Sequence, residues 1–488
     1  MNSEELVLSD AQRRTIYALS TPPGKAGVAV VRISGPDAME VWAQMVRTLS
    51  GTKEGKKRRV PVPWKMERCR LVDPLTEEVL DDGLVVFFKG PRSFTTEDVV
   101  ELHIHSGRAI ISAVLSAISR LPFCRLAEPG EFTRRAFEGG RLDLTQVEGL
   151  KDLIDAETDG QRKAALRAVG GTARVRFEEL RQEIIKCLAL VEALIDFGEG
   201  EEIEEGVFEQ ARTRAERLRG RIKAILSDNR RGEIVRSGVR LAIFGPPNAG
   251  KSSLLNFFAQ REAAIVTHIP GTTRDVLELE LDIGGLLVIV ADTAGLRKTE
   301  DVVEAIGVRR AEDAVRQADV SLLVLSLPDI IQDSPSGPTI SAHITSLLEK
   351  SAYILLNKSD LVPPSTLKAV ETVIRETFPD TPQWTASLAN GEGTTDFLQG
   401  FATALQTRYN LLEDQGTLNA PLITHARHRT HLESALLFLD AFLEASAEDI
   451  VLGAEELRYA AQAVGKISGL IDVEDILDVV FRDFCIGK

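Results

Sequence analysis

Cysteine is scarce in this chain: four occur among 488 residues, at positions 69, 124, 187 and 485. None stands in the paired CxxC spacing of a zinc site, and they are too few and too scattered for a disulfide-stapled scaffold. A reducing compartment is the simplest expectation. Long apolar stretches are missing too: nothing approaches the roughly 18 consecutive apolar residues of a membrane span, which argues against a transmembrane helix. Positive charge is in deficit, with 58 Lys and Arg against 73 Asp and Glu and a formal charge of −15. That balance disfavours indiscriminate binding to nucleic acid or anionic lipid, so any RNA contact must be local. The start, Met1 to Ser20, carries Glu4, Glu5 and Asp10, too acidic for an organellar presequence and too polar for a secretory signal. Internal repeats and long low-complexity tracts are absent.

What is present is the composition of a folded chain, 44% apolar and 27% charged. At roughly 150 residues per domain the length fits three. After the turn Thr21-Pro22-Pro23-Gly24, the run 28–33 reads as a strand, as do 84–88 and 99–104. With a helical stretch at 109–120, these predict a mixed α/β domain. The basic segment 53–59 reads as a solvated loop or an RNA-contacting patch. Beyond Gly140 the pattern turns to long helices. Asp143 or Thr145 can cap the first, Glu148 completing a capping box with Thr145. Phe177, Leu180, Ile184, Leu188, Val191 and Ile195 recur at helical spacing and predict one buried face. An acidic linker at 199–205 leads to a charged helix at 208–229.

At Val239 strands begin to alternate with helices, the strands falling at 241–244, 286–291, 320–327 and 352–356. This predicts a mostly parallel sheet with crossover helices, with a loop at 335–338. Helices return at 425–445 and 454–484. The order helix, α/β, helix predicts an α/β unit inserted into one helical domain. The expected divisions are 1–139, 140–236, 237–411 and 412–488.

The chemistry is concentrated in the inserted unit. Gly245-Pro246-Pro247-Asn248-Ala249-Gly250-Lys251-Ser252 follows a strand, fits GxxxxGK[ST] and opens a helix. Its glycines let the backbone wrap a polyphosphate, the helix N-terminus faces the anion, Lys251 adds a charge and Ser252 suits Mg²⁺. A second strand delivers Asp292-Thr293-Ala294-Gly295, placing a carboxylate within reach of Mg²⁺ through water. A third delivers Asn357-Lys358-Ser359-Asp360, where the Asp360 carboxylate can accept two parallel N–H bonds from guanine that adenine cannot supply. In this order the three elements specify a GTPase rather than a general ATPase. Gly271-Thr272-Thr273-Arg274-Asp275 lies between the first two, where a Thr hydroxyl could complete the Mg²⁺ shell. Small GTPases often place a water-orienting Gln after the Asp-x-x-Gly element. Here that position is Leu296, so the water needs another partner, and Glu300, Asp301 and Glu304 are at hand.

These motifs, with Arg32-Ile33-Ser34-Gly35, Arg92-Ser93-Phe94-Thr95, Pro129-Gly130-Glu131-Phe132-Thr133 and the terminal Phe484-Cys485-Ile486-Gly487-Lys488, resemble the tRNA-modification GTPases of the MnmE (TrmE) family. The stretches 195–199 and 203–207 look most like its mitochondrial branch. The resemblance implies an N-terminal α/β folate-binding domain, a helical domain in two halves and an inserted Ras-like P-loop G domain. It further implies a homodimer formed through the N-terminal domain, working with an FAD-containing MnmG/GidA-type partner. Together they would modify carbon 5 of the wobble uridine of tRNA, using a tetrahydrofolate one-carbon donor.

The resemblance also implies dependence on potassium, which bridges phosphate oxygens and is enclosed as two G domains approach each other. The resemblance places Asn248, Thr267, Ile269 and Thr272 at K⁺, Ser252 and Thr273 at Mg²⁺, and Glu304 beside the attacking water. Around GTP it adds Ala249, Gly250, Lys251, Ser253, Asp292, Thr293, Ala294, Gly295, Asn357, Lys358, Asp360, Ser387, Leu388 and Ala389. Arg32, Glu101, Arg141 and Lys488 match the folate positions, Arg141 standing where lysine is common, and Cys485 matches a functionally important cysteine. The implied location is the mitochondrial matrix, with bacterial cytoplasm as the alternative. A regulatory GTPase switch in ribosome assembly is the competing functional reading; it calls for a dedicated basic RNA-binding module, which the sequence does not display.

Overall fold

In β6 (Val99–Ser106) every second residue, Val100, Leu102 and Ile104, is buried, while Glu101, His103 and His105 point the other way. This alternation sets the plan of the first unit. The computed structural model describes residues 15–48, 61–197, 204–228, 230–260, 264–265, 279–291, 318–330, 353–409, 421–446, 449–470, 480–481, 484 and 486–487. Residues 1–151, 174–178 and 465–488 form one compact unit, and 152–173 with 179–464 form the other.

The first unit is built on a seven-stranded sheet of order β3-β4-β5-β6-β2-β1-β7. Its strands are β1 (Thr15–Leu19), β2 (Ala26–Ser34), β3 (Val46–Thr48), β4 (Glu67–Val72), β5 (Val79–Phe88), β6 and β7 (Cys124–Leu126). Neighbours run antiparallel except β1 and β7. One face packs α1 (Ala38–Met45) and α2 (Arg108–Ser119) over Val31, Ile33, Val85, Phe87, Val100 and Leu102. The other face carries Arg32 and Glu101, paired directly across β2 and β6. Phe132 of α3 (Glu131–Glu138) packs near that face with Ile16, Ala18 and Phe94. At α4 (Leu144–Ile154) the cap is Asp143, one of the two residues the sequence offered, and the box partner is Gln146 rather than Glu148. Asp143 Oδ1 accepts from the backbone N–H of Thr145 and Gln146 at 2.7 and 3.1 Å, and Gln146 answers by accepting from the Asp143 N–H. Thr145 instead donates its hydroxyl to Asp143.

The second unit contains the helices α5 (Asp159–Val169), α6 (Thr172–Phe197, apart from residues 174–178), α7 (Glu204–Leu226) and α8 (Arg231–Ser237), then a second seven-stranded sheet. The buried face of α6 runs through Phe177, Leu180, Ile184, Cys187, Val191 and Leu194, with Ile195 exposed. The buried face advances in alternating three- and four-residue steps, a period nearer the 3.5 of packed helices than the expected 3.6, so Cys187 and Leu194 are buried while Leu188 is half-buried and Ile195 exposed. The acidic stretch expected as linker is helical from Glu204 onward.

The second sheet has the order β14-β13-β12-β8-β11-β10-β9. It comprises β8 (Val239–Phe244), β9 (Ala264–Ile265), β10 (Leu279–Ile283), β11 (Leu286–Ala291), β12 (Val320–Ser326), β13 (Tyr353–Asn357) and β14 (Gln383–Ala386). The pairs from β11 to β14 are parallel, while β10 pairs antiparallel with both neighbours. Helices α9 (Lys251–Ala259), α10 (Leu327–Ile330), α11 (Pro364–Thr377) and α12 (Thr394–Arg408) accompany it. The chain then forms α13 (Ala426–Glu444) and α14 (Ile450–Ser468). Thus a mixed, mainly parallel sheet interrupts a helical framework. Arg429 of α13 ties the framework's two halves together, contacting Asp228 at 2.9 Å, Glu233 at 3.1 Å and the Leu226 carbonyl at 2.9 Å. Among the described residues no helix is long and apolar enough to cross a membrane. The basic segment 53–59 and the loop at 335–338 lie outside the described residues.

Candidate functional site

The phosphate loop leaves β8 and enters α9 at Lys251. At Gly245, with φ +144°, a Cβ would stand 2.1 Å from the Val324 carbonyl oxygen; at Gly250, with φ +105°, it would stand 2.0 Å from Asn357 Nδ2. Both positions therefore require glycine. Asn248 adopts a left-handed φ of 58°, and the turn places Ala249 in the interior. Lys251 Nζ donates to the carbonyls of Gly245 and Pro246 at 2.8 and 2.7 Å. Burial pushes its ammonium below the ordinary lysine range, a condition that an adjacent anion relieves. Ser252 and Ser253 are exposed on the first turn of α9.

The end of β13 supplies the second half of the site. Asn357, buried, donates from Nδ2 to the Ala249 carbonyl at 2.9 Å, and its Oδ1 accepts from the Leu388 N–H at 3.2 Å. One side chain thus joins the phosphate loop to the 387–389 loop. Lys358 takes a left-handed φ of 65°, and Asp360 lies exposed on the short turn Ser359–Leu361. Ser387 is buried. Its N–H donates to the Glu392 carbonyl at 2.8 Å and its carbonyl accepts from the Gly391 N–H at 2.9 Å, closing the loop that presents Leu388 and Ala389. Thr267, Ile269, Thr272, Thr273, Asp292, Thr293, Ala294, Gly295 and Glu304 lie outside the described residues.

A second constellation lies on the first unit's sheet. Arg32 Nε donates to Glu101 Oε1 at 2.8 Å, and the guanidinium sits over Phe94 and Phe132 at 5.3 and 5.7 Å. Burial opposes ionisation of Glu101, but the approach of His103 and the Arg32 charge hold its carboxyl below the usual range. Arg141 does not reach this pair. It is exposed, and its Nη1 donates to the Ser93 and Arg92 carbonyls at 2.9 and 3.4 Å, fastening the loop that presents Phe94. The chain end is docked on the same unit: Ile486 bridges Pro129, and Ser20 Oγ donates to the Gly487 carbonyl at 2.9 Å. Cys485 and Lys488 lie outside the described residues. His103, Phe94 and Phe132 had no assigned role in the sequence, although period-two alternation in β6 already sets residue 103 on the face of Glu101.

Other motif residues hold the frame. Ser34 Oγ meets Thr95 Oγ1 at 2.5 Å and Glu97 Oε2 at 2.8 Å, and Arg135 spans Glu97 and Glu131 at 2.8 and 2.9 Å. The buried Glu131 also takes Arg125 Nη1 at 2.8 Å. These contacts join β2, the 93–97 loop and α3 into one buried polar network.

A helix-opening phosphate loop on a mainly parallel sheet, joined through a buried Asn to a second loop, defines the class: a P-loop GTPase set in a helical framework. The chain belongs to the MnmE/TrmE family. The model of the MnmE helical domain matches residues 144–485, and that of the GTP-binding protein TrmE N-terminus matches 15–141. A mitochondrial 5-taurinomethyluridine-[tRNA] synthase subunit GTPB3 from Danio rerio is 45% identical over 480 residues, covering 97% of this chain and 93% of its own. The tRNA modification GTPase MnmE of Parvibaculum lavamentivorans is 46% identical over 480 residues, covering 97% of this chain and all of its own. That of Rickettsia bellii is 40% identical over 476 residues with the same coverage.

Proposed function

We propose that this chain is the GTP-hydrolysing subunit of a tRNA-modifying assembly that alters carbon 5 of the wobble uridine, position 34. The observation that carries the reading is similarity over nearly the full length, across both units, to proteins named for tRNA modification. Its partner is an FAD-containing MnmG/GidA-type flavoprotein, and a tetrahydrofolate supplies one carbon. The proposed divisions are an N-terminal domain at 1–139 that dimerises and binds folate, helical halves at 140–236 and 412–488, and a G domain at 237–411.

In the G domain, the phosphate loop from Asn248 to Ser253 cradles GTP, Lys251 moving from loop carbonyls to phosphate oxygens. Asp292, Thr293, Ala294 and Gly295 border the γ-phosphate. Asn357, Lys358 and Asp360 read the base beside Ser387, Leu388 and Ala389. Mg²⁺, held by Ser252 and Thr273, supplies charge neutralisation at the phosphates. Asn248, Thr267, Ile269 and Thr272 would offer oxygen ligands to K⁺, which would neutralise charge on the transferring phosphoryl. Glu304 orients the attacking water.

The Arg32–Glu101 face of the first unit suits a folate, since Glu101 can accept N–H donors from a pterin and the Arg32 cation suits its glutamate tail, with Arg141 and Lys488 proposed as further cations for that tail. Cys485, which directly precedes Ile486 in the sequence, is proposed as a further functional residue. The similarity to mitochondrial GTPB3 favours the mitochondrial matrix, and the bacterial relatives make bacterial cytoplasm the alternative. Deleting the gene and analysing tRNA by mass spectrometry tests the reading: wobble uridines should lose their carbon-5 group, and unaltered modification rejects it.

A further inference from the structure

Residues two apart on a strand share a face, so His103 accompanies Glu101 on the side of β6 away from the core. The register gives His103 aliphatic cross-strand neighbours, Val30 on β2 and Leu84 on β5, whereas Glu101 has Arg32 opposite. His103 Nε2 is buried and makes no hydrogen bond. It stands 3.7 Å from Glu101 Oε2, an ion-pair contact too long for a hydrogen bond, while Oε1 is engaged by Arg32. A buried ring nitrogen left without a partner beside an oriented carboxylate marks a place where a ligand's polar edge completes the set.

We infer that His103 is a specificity-determining residue of this face, donating from Nε2 to a ring carbonyl of the ligand while Glu101 accepts the two N–H donors beside it. The inference rests on the reading of this face as a folate site and adds which form of the heterocycle it selects. Along one edge, a 4-oxo pterin carries an exocyclic amine, a ring N–H and a carbonyl oxygen in succession. A carboxylate followed along the strand by an imidazole N–H is the matching order, acceptor, acceptor, donor. A 2,4-diaminopteridine breaks the match, because its ring nitrogen carries no hydrogen and turns a lone pair toward the Glu101 carboxylate, while an amino group stands where the carbonyl accepted from the imidazole N–H. Buried polar groups left facing like groups are the strongest source of discrimination between close analogues.

The test is calorimetric binding of 5-formyltetrahydrofolate and its 4-amino-4-deoxy counterpart to the full chain. Wild type, His103→Leu, His103→Gln and Arg32→Ala are compared, with thermal melts confirming that each folds. Wild type should prefer the 4-oxo compound. His103→Leu should weaken that compound about tenfold and leave the 4-amino compound nearly unchanged. His103→Gln, whose amide can donate from a similar position, should retain most of the preference. An unaltered ratio in His103→Leu, with wild type binding folate, overturns the role of His103 and leaves the folate reading standing. Absence of binding in wild type, indistinguishable from Arg32→Ala, overturns the folate reading and this inference with it.

Discussion

The side-chain amide of Asn357 donates to the main-chain carbonyl of Ala249 at 2.9 Å, so the end of β13 holds the phosphate loop in place. The same side chain accepts from the Leu388 N–H, and Gly250 leaves room for it. The phosphate and base elements are thus coupled through one buried residue.

Asn357→Ala should therefore disturb both halves at once. It strands a buried carbonyl and N–H, at about 1–3 kcal/mol each. We expect GTP affinity, measured with a fluorescent guanine nucleotide, to fall at least about tenfold. A change within twofold would separate Asn357 from the site.

Asp360→Asn should exchange base preference. The amide can donate to the C2 carbonyl of xanthine but cannot accept both guanine donors. GTP affinity should drop by about two orders of magnitude while xanthosine triphosphate affinity rises. Equal losses for both nucleotides would mean that Asp360 does not read the base.

Glu131 should give the first unit a marked acid sensitivity. Burial resists its ionisation, but Arg125, the Glu128 N–H and Arg135 outweigh burial and hold the carboxyl below the ordinary range. A carboxyl depressed on folding stabilises the fold fully above its unfolded pKa, about 4.3, and loses that contribution as pH falls through the folded value. Thermal melts should decline below about pH 4.5 in wild type and less steeply in Glu131→Gln. At pH 7, Glu131→Ala should cost about 3 kcal/mol in urea denaturation. Parallel acid limbs in wild type and Glu131→Gln would refute the linkage.

For the proposed hydrolytic step, Glu304→Ala should lower GTP turnover by about 100-fold with nucleotide affinity almost unaltered. Turnover of wild type should be much faster in KCl than in NaCl. Retained turnover in the variant removes Glu304 from the mechanism, and equal rates in the two salts remove K⁺ and its proposed Asn248 ligand.

Much of the fold was legible because its signals are local. Runs such as 286–291 and 353–357 are β-branched or apolar enough to require strands, and GxxxxGK[ST] after a strand fixes a loop and a helix start. Local patterns left alternatives open, or missed by one residue, where small geometric differences decide. Asp143 outcompeted Thr145 as the cap because its carboxylate sits two and three residues before the N–H groups it accepts from. Cys187 and Leu194 replaced Leu188 and Ile195 in the α6 face because residues one apart differ by only about 100° around a helix. Arg141 illustrates a different limit: its charge is plain in the sequence, but its attachment to the Ser93 carbonyl depends on where the 92–94 loop travels.

The sequence by itself determined the class of chemistry, since phosphate wrapping, base recognition and strand alternation each depend on residue types at short fixed spacings. Only the tertiary structure decided that Arg32 meets Glu101 from 69 residues away, that His103 lies beside them with an unanswered nitrogen, and that Asn357 clamps the phosphate loop across 108 residues. Such pairings follow from strand register and chain crossing, which are set by burying whole faces of a sheet rather than by any local run of residues.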